Sequence, residues 1–130
     1  MVSRRMPCEL VVFELLPTAR GSIAKELVDN YGYTQSKVAQ IFGITSVAIS
    51  QYMKGLRGGN PYIDSSEHRD EFYKSIREIA ANLHNGASLT EELCRLCGFF
   101  KQSGMIEEIY RKQGADMPLN KCMECPRKNI

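Results

Sequence analysis

An all-α fold is predicted by this sequence, on three observations. Apolar residues recur at helical spacing in one segment after another along the 130 residues. Glycine and proline fall between those segments, at Pro17, Gly32, Gly43 and Gly86, where helices begin or end. Cap-type residues, Thr34, Thr45 and Ser88, stand just before new apolar periods. A hydrophobic content of 43% suffices for a packed core, and the length suits one domain or a small unit with an appended element.

The N-terminal elements come first. Pro7 suits a first helical position, and Leu10, Val11, Phe13 and Leu15 continue as a short helix or, alternatively, a strand. Pro17 breaks that element and opens the next, in which Ile23, Leu27, Val28 and Tyr31 share one face up to Gly32. Over residues 34–55, TQSKVAQIFGITSVAISQYMKG, two short helices are expected around Gly43. Thr34 caps the first, with Val38, Ala39 and Phe42 on its inner face. Gly43 ends it, because the position after a helix favours positive φ, which glycine adopts without steric cost. Thr45 caps the second, whose inner face is Ile49, Tyr52 and Met53. Ala39 suits a steep helix crossing, where only a small residue fits. Ser46, Val47, Ser50, Gln51 and Lys54 are left facing outward, and their groups are of a size to meet base edges and phosphates.

This segment resembles the helix-turn-helix of the phage-repressor-like regulators, through Thr34, Gln35, Val38, Ala39, Gly43, Ile44, Thr45, Ile49, Ser50, Tyr52 and Gly55. The resemblance implies binding to double-stranded DNA. In it, Gln35 would hold a phosphate at the start of its helix, Ser46, Val47 and Gln51 would face base edges, and Lys54 would meet the backbone. Thr45, Ser50 and Arg57 complete the expected DNA-binding set, with a solvated charge the alternative for Arg57. A helical hairpin without a DNA role is the alternative for the segment as a whole.

Charge placement agrees with a polyanionic partner. The net charge of the whole chain, +2, is too weak to argue for one. No acidic residue occurs between Asp29 and Asp64, however, while Lys37, Lys54 and Arg57 lie in that window. Phosphate contact requires such a surface, since a carboxylate there would repel the backbone. No long apolar run is present, so no membrane span is expected. Glu9 and Glu14 interrupt the apolar stretch after Arg4 and Arg5, and no small-residue cleavage site follows, so a signal peptide is not expected there and a cytoplasmic protein is.

LRGGNPY, residues 56–62, reads as a loop and separates a DNA-binding unit, 1–60, from a helical dimerisation and cysteine region, 61–130. Ser65 or Ser66 caps a helix running to about Asn85, with Phe72, Ile76, Ile79 and Leu83 on its apolar face and Arg69, Lys74, Arg77 and Glu78 on the other. Ser88 and Glu91 form a capping box for a helix through Leu89, Leu93, Leu96 and Phe100. Ser103-Gly104 interrupts it before a last short helix with Met105, Ile106, Ile109 and Tyr110. The remaining segment, from Gly114 on, has little periodicity and needs something to tie it down.

Two Cys-x-x-Cys pairs supply a tie. Cys94, Cys97, Cys122 and Cys125 bring four thiolates within reach of one metal centre, and Cys94 and Cys97 lie one turn apart on a helical edge. Two disulfides and a redox dithiol are the other readings of the pairs. Cys125-Pro126 favours a [4Fe-4S] cluster, and zinc is the alternative. Phe99 and Phe100 would shield a cluster or simply belong to the core. Cys8 is a spare thiol, and His68 and His84 are expected to be structural.

The N-terminal unit together with the paired cysteines resembles a group of small archaeal transcriptional regulators. The resemblance implies a regulator, not an enzyme, and no small-molecule substrate is evident. The expectation is a homodimer on a palindromic operator, with loss or oxidation of the cluster altering the spacing of the two DNA-reading helices. A zinc-stabilised adaptor with a purely structural site is the alternative.

Overall fold

The computed structural model describes residues 14–55 and 60–112, and every regular element among them is helical. α1 spans Leu16–Tyr31, α2 Gln35–Phe42, α3 Ser46–Gly55, α4 Pro61–Asp64, α5 Arg69–His84, α6 Leu89–Gln102 and α7 Met105–Lys112. No helix among the described residues is long and apolar enough to cross a membrane.

Local chemistry sets most of these boundaries. Pro17 lies in the first turn of α1, where its missing N–H leaves no intrahelical bond unmade. At the other end, Gly32 has φ of 70°, and the amides of Gly32 and Tyr33 return to the Leu27 carbonyl. Thr34 Oγ1 accepts from the Lys37 amide at 3.1 Å to start α2, and Gly43 ends it with φ of 69°. Thr45 Oγ1 accepts from the Ala48 amide at 3.1 Å to start α3. Each cap satisfies one of the donors a helix start leaves without an intrahelical acceptor, worth about 1 kcal/mol.

α1 is the central post. It packs against α3 on one side and α5 on the other, while α2 lies against both α1 and α3. Ala19, Ile23, Ala24 and Leu27 of α1 are fully buried. They join one apolar cluster with Val38, Ala39 and Ile49 of the α2–α3 pair and with Phe72, Ile76, Ile79, Ala80 and Leu83 of α5. The same cluster continues through Leu93, Leu96 and Phe100 of α6 to Met105, Ile106, Ile109 and Tyr110 of α7. Phe72 and Phe100 stack with ring centroids 6.0 Å apart, joining α5 to α6. Each large side chain buried this way contributes roughly 1.5–3 kcal/mol. The cluster therefore includes side chains from both sides of residue 60.

Three local expectations are corrected. Residues 60–62 are not loop: Asn60 caps α4, its Oδ1 accepting from the Tyr62 amide at 2.9 Å, and Pro61 takes the first helical position. Neither Ser65 nor Ser66 caps α5, which begins at Arg69. Ser65 Oγ donates to the Pro61 carbonyl, while Ser66 Oγ donates to Glu108 Oε1 at 2.5 Å and accepts from the His68 amide at 3.0 Å, which shapes the turn before α5 without capping it. Ser88 stands at the N-cap of α6 with an extended backbone, but its hydroxyl makes no capping bond, and the capping box with Glu91 is not formed.

Two carboxylates are buried in the second half. Glu92, 2% exposed, accepts from Asn82 Nδ2 at 2.7 Å and pairs with Arg95 at 2.6 Å, joining α5 to α6. Glu108, equally buried, takes the Ser66 hydroxyl on one oxygen and the Glu67 amide on the other at 3.2 Å. Burial pushes the Glu108 carboxyl up, but these hydrogen bonds and the charge of Lys112 outweigh it and hold it below the ordinary carboxylate range.

Candidate nucleic-acid interface

The side chains expected to face a partner are held on the outside of α3. Ser46, Val47, Gln51 and Lys54 are exposed and Ser50 is half-buried, while Ile49 on the opposite side is fully buried. Tyr52 and Met53 are half-buried beside it. Thr45 is exposed, but its hydroxyl is committed to the Ala48 amide. Gln35 is exposed at the first position of α2, beside the unpaired amides of that helix start. Val47 is 67% exposed, and with Ile44 it is one of two large apolar side chains left open among the described residues.

Two features make this surface rigid. Ala39, 6% exposed, lets α2 and α3 approach closely, and the Ile44 amide donates to the Ala39 carbonyl at 3.1 Å across the turn. The pair is then joined to the rest of the molecule at both ends. Before α2, the Tyr33 hydroxyl and His84 Nδ1 hydrogen-bond at 2.8 Å, and the Tyr31 ring lies 4.7 Å from the His84 ring. After α3, Asn60 Nδ2 donates to the Glu14 carbonyl at 2.8 Å and to Thr18 Oγ1 at 2.9 Å, so the chain leaving α3 is fastened to the start of α1.

The electrostatics agree with the sequence. No carboxylate lies on α2, the turn or α3. Asp29, just before this stretch, pairs with Lys25 at 3.0 Å, and Asp64, just after it, faces Arg69 at 3.8 Å. Lys37 and Lys54 are exposed and make no ion pair among the described residues. The result is a small cationic face with a neutral polar row at its centre.

Cys94 and Cys97 sit one turn apart on α6, the first exposed and the second half-buried, and neither is in a disulfide among the described residues. Phe99 is half-buried beside them, whereas Phe100 is core. Cys122, Cys125, Cys8 and Arg57 lie outside the described residues, so the four-thiolate set is placed only in its first half. The other grouping of metal-capable side chains among the described residues is Glu67, His68 and Glu108, with ligand atoms within 4.8 Å of one another. Both Glu108 oxygens already accept protein hydrogen bonds, and Arg111 lies 3.8 Å from Glu67.

Asn60 and His84 are the positioning residues that sequence reasoning missed. Asn-Pro is a helix-start signature and was available at Asn60. His84 carried no signal, because its partner is 51 residues away. No family model, curated protein or solved structure matches this chain.

Proposed function

We propose that the protein is a DNA-binding transcriptional regulator of the phage-repressor-like helix-turn-helix type, with α3 as the reading helix. The observation that carries this reading is the exposed row Ser46, Val47, Gln51 and Lys54 on a rigid helical pair free of carboxylates. α3 has 10 residues, about 15 Å of helix, and an α-helix about 10–12 Å across with its side chains fits a major groove about 12 Å wide. Gln51 offers a carboxamide for an adenine edge and Val47 an apolar contact for a thymine methyl. Gln35 and the amides at the start of α2 offer donors to a phosphate, where the helix dipole favours negative charge.

One such helix reads only a few base pairs, so the working form is a homodimer on a palindromic operator in the cytoplasm. Cys94, Cys97, Cys122 and Cys125 hold a [4Fe-4S] cluster whose loss changes the spacing of the two reading helices. α6 is already fixed by Leu93, Leu96 and Phe100, so the centre would tie the second cysteine pair to an element already in place. That same observation also favours the second reading, a zinc site that is purely structural.

Anaerobically purified protein carrying a cluster shows a broad visible absorption, and zinc protein is colourless. Operator DNA selected from a random pool, followed by fluorescence anisotropy of loaded and apo protein, tests the rest. The expected result is at least about tenfold weaker operator binding without the cluster, a difference of about 1.4 kcal/mol. Equal affinity would make the centre structural. Failure to enrich any sequence would remove the DNA reading.

A further inference from the structure

A cavity of about 290 Å³ lies between α1 and α5, and none of its lining residues belongs to α3. Ser22 lines it. This serine is only 8% exposed, and its hydroxyl makes no hydrogen bond among the described residues. A helical serine ordinarily returns its hydroxyl to the carbonyl one turn back, as Ser75 does to Glu71 at 3.0 Å. Ser22 instead leaves its hydroxyl open to the cavity, where it can bond to whatever occupies the space, water or guest.

The charges around the opening are unequal. Arg77 of α5 is exposed and has no ion-pair partner among the described residues. Lys25 of α1 pairs with Asp29, but both side chains are more than half exposed, and a pair of that kind is weak enough to exchange. Glu26 is the one carboxylate on the lining, and its Oε1 accepts from Asn30 Nδ2 at 2.6 Å. Ile76 and the Tyr73 ring supply the apolar wall. Burial, with the Asp64 carboxylate adding to it, pushes the Tyr73 hydroxyl up and keeps it a neutral donor.

We propose that this cavity binds a small monocarboxylic acid, its carboxylate on the Arg77 guanidinium and the Ser22 hydroxyl, its apolar part against Ile76 and Tyr73. Arginine presents a planar fork that matches a carboxylate, and Lys25 adds a second charge without fixing direction. The volume is at the small end of ligand cavities, which limits the guest to roughly ten heavy atoms. Asn60 also lines the cavity, with both ends of its carboxamide already bonded, so it is wall and not ligand partner. It stands where the chain leaves α3, so a guest would bear on the joint between α1 and the reading helix. That consequence for DNA rests on the regulator reading; binding of the acid does not.

Amide chemical-shift titration of the full chain with benzoate tests the proposal, with benzyl alcohol as the neutral analogue and inorganic phosphate as the anion without an apolar part. Saturable shifts at Ser22, Ile76 and Arg77 with benzoate alone are expected. Arg77→Ala should weaken binding about tenfold or more, and Ser22→Ala by a few-fold, with unchanged circular dichroism and thermal midpoint. The proposal is overturned by equal binding of benzyl alcohol or phosphate, by full affinity in Arg77→Ala, or by no saturable shift up to about 20 mM benzoate. A protein that binds benzoate yet selects no DNA would keep this site and lose the regulator reading.

Discussion

The α2–α3 pair and the α5–α7 bundle bury different things. The pair contributes only Val38, Ala39 and Ile49 to the buried core, and none of its polar side chains is fully buried. The bundle buries long apolar stripes from three helices, and with them Glu92 and Glu108. The pair therefore takes its stability from α1, which leaves its outer face free of any role in folding. In the bundle the reverse holds, and polar residues such as Ser66 and Glu108 are structural. A substitution on the surface of α3 should change what the protein binds, whereas a polar substitution in the bundle should change whether it folds.

The largest effect that tests this contrast is Ile49→Ala. Removing the pair's central anchor should cost about 2–5 kcal/mol in urea denaturation, with both halves unfolding in one transition because α1 is shared. An early separate transition for α2–α3 would show that the pair stands alone and would break the contrast. Glu108→Ala comes next, expected to cost about 1–3 kcal/mol at neutral pH because it leaves Ser66 Oγ and the Glu67 amide without their acceptor. The folded carboxyl of Glu108 is held low, so its contribution is complete above the ordinary carboxylate range and is lost as pH falls through the folded value. Stability measured against pH should accordingly fall less steeply on the acid side in Glu108→Gln than in the parent; identical acid limbs would remove Glu108 from the account.

On the other side of the comparison, Gln51→Ala should leave stability within about 0.5 kcal/mol and relax preference at one operator position by roughly 1–3 kcal/mol. Selection of an unchanged operator by this variant would take Gln51 off the reading face. The smallest effect is that of Lys54→Ala, which should weaken binding to all sequences alike and reduce the slope of log affinity against log salt by about one. A slope identical to the parent's would place Lys54 away from phosphate.

The parts that were legible in the sequence are those decided within a few residues. Thr34, Gly43 and Thr45 announce their caps and turn because each acts on a backbone group nearby. The apolar stripe of α5 was readable for the same reason, since helical periodicity is local. Ser65 and Ser66 misled because Ser66 finds its partner at Glu108, 42 residues on, and nothing in the intervening chain points to that pairing. Asn60 misled in another way: glycines before it argued for loop, while its bonds to Glu14 and Thr18 reach back across α2 and α3. The outward row of α3 was legible, and so was the first cysteine pair. The α1–α5 cavity was not, because it exists only where two helices remote in sequence meet.

The contact between Tyr33 and His84 has a consequence for how a displacement would travel through the molecule. It bridges positions 51 residues apart, and the Tyr31 ring lies 4.7 Å from the same imidazole. The last turn of α5 and the entry to α2 thus share one hinge pin. A shift of α5 along its own axis carries the start of the reading pair with it, with no covalent path shorter than the 51 residues between them.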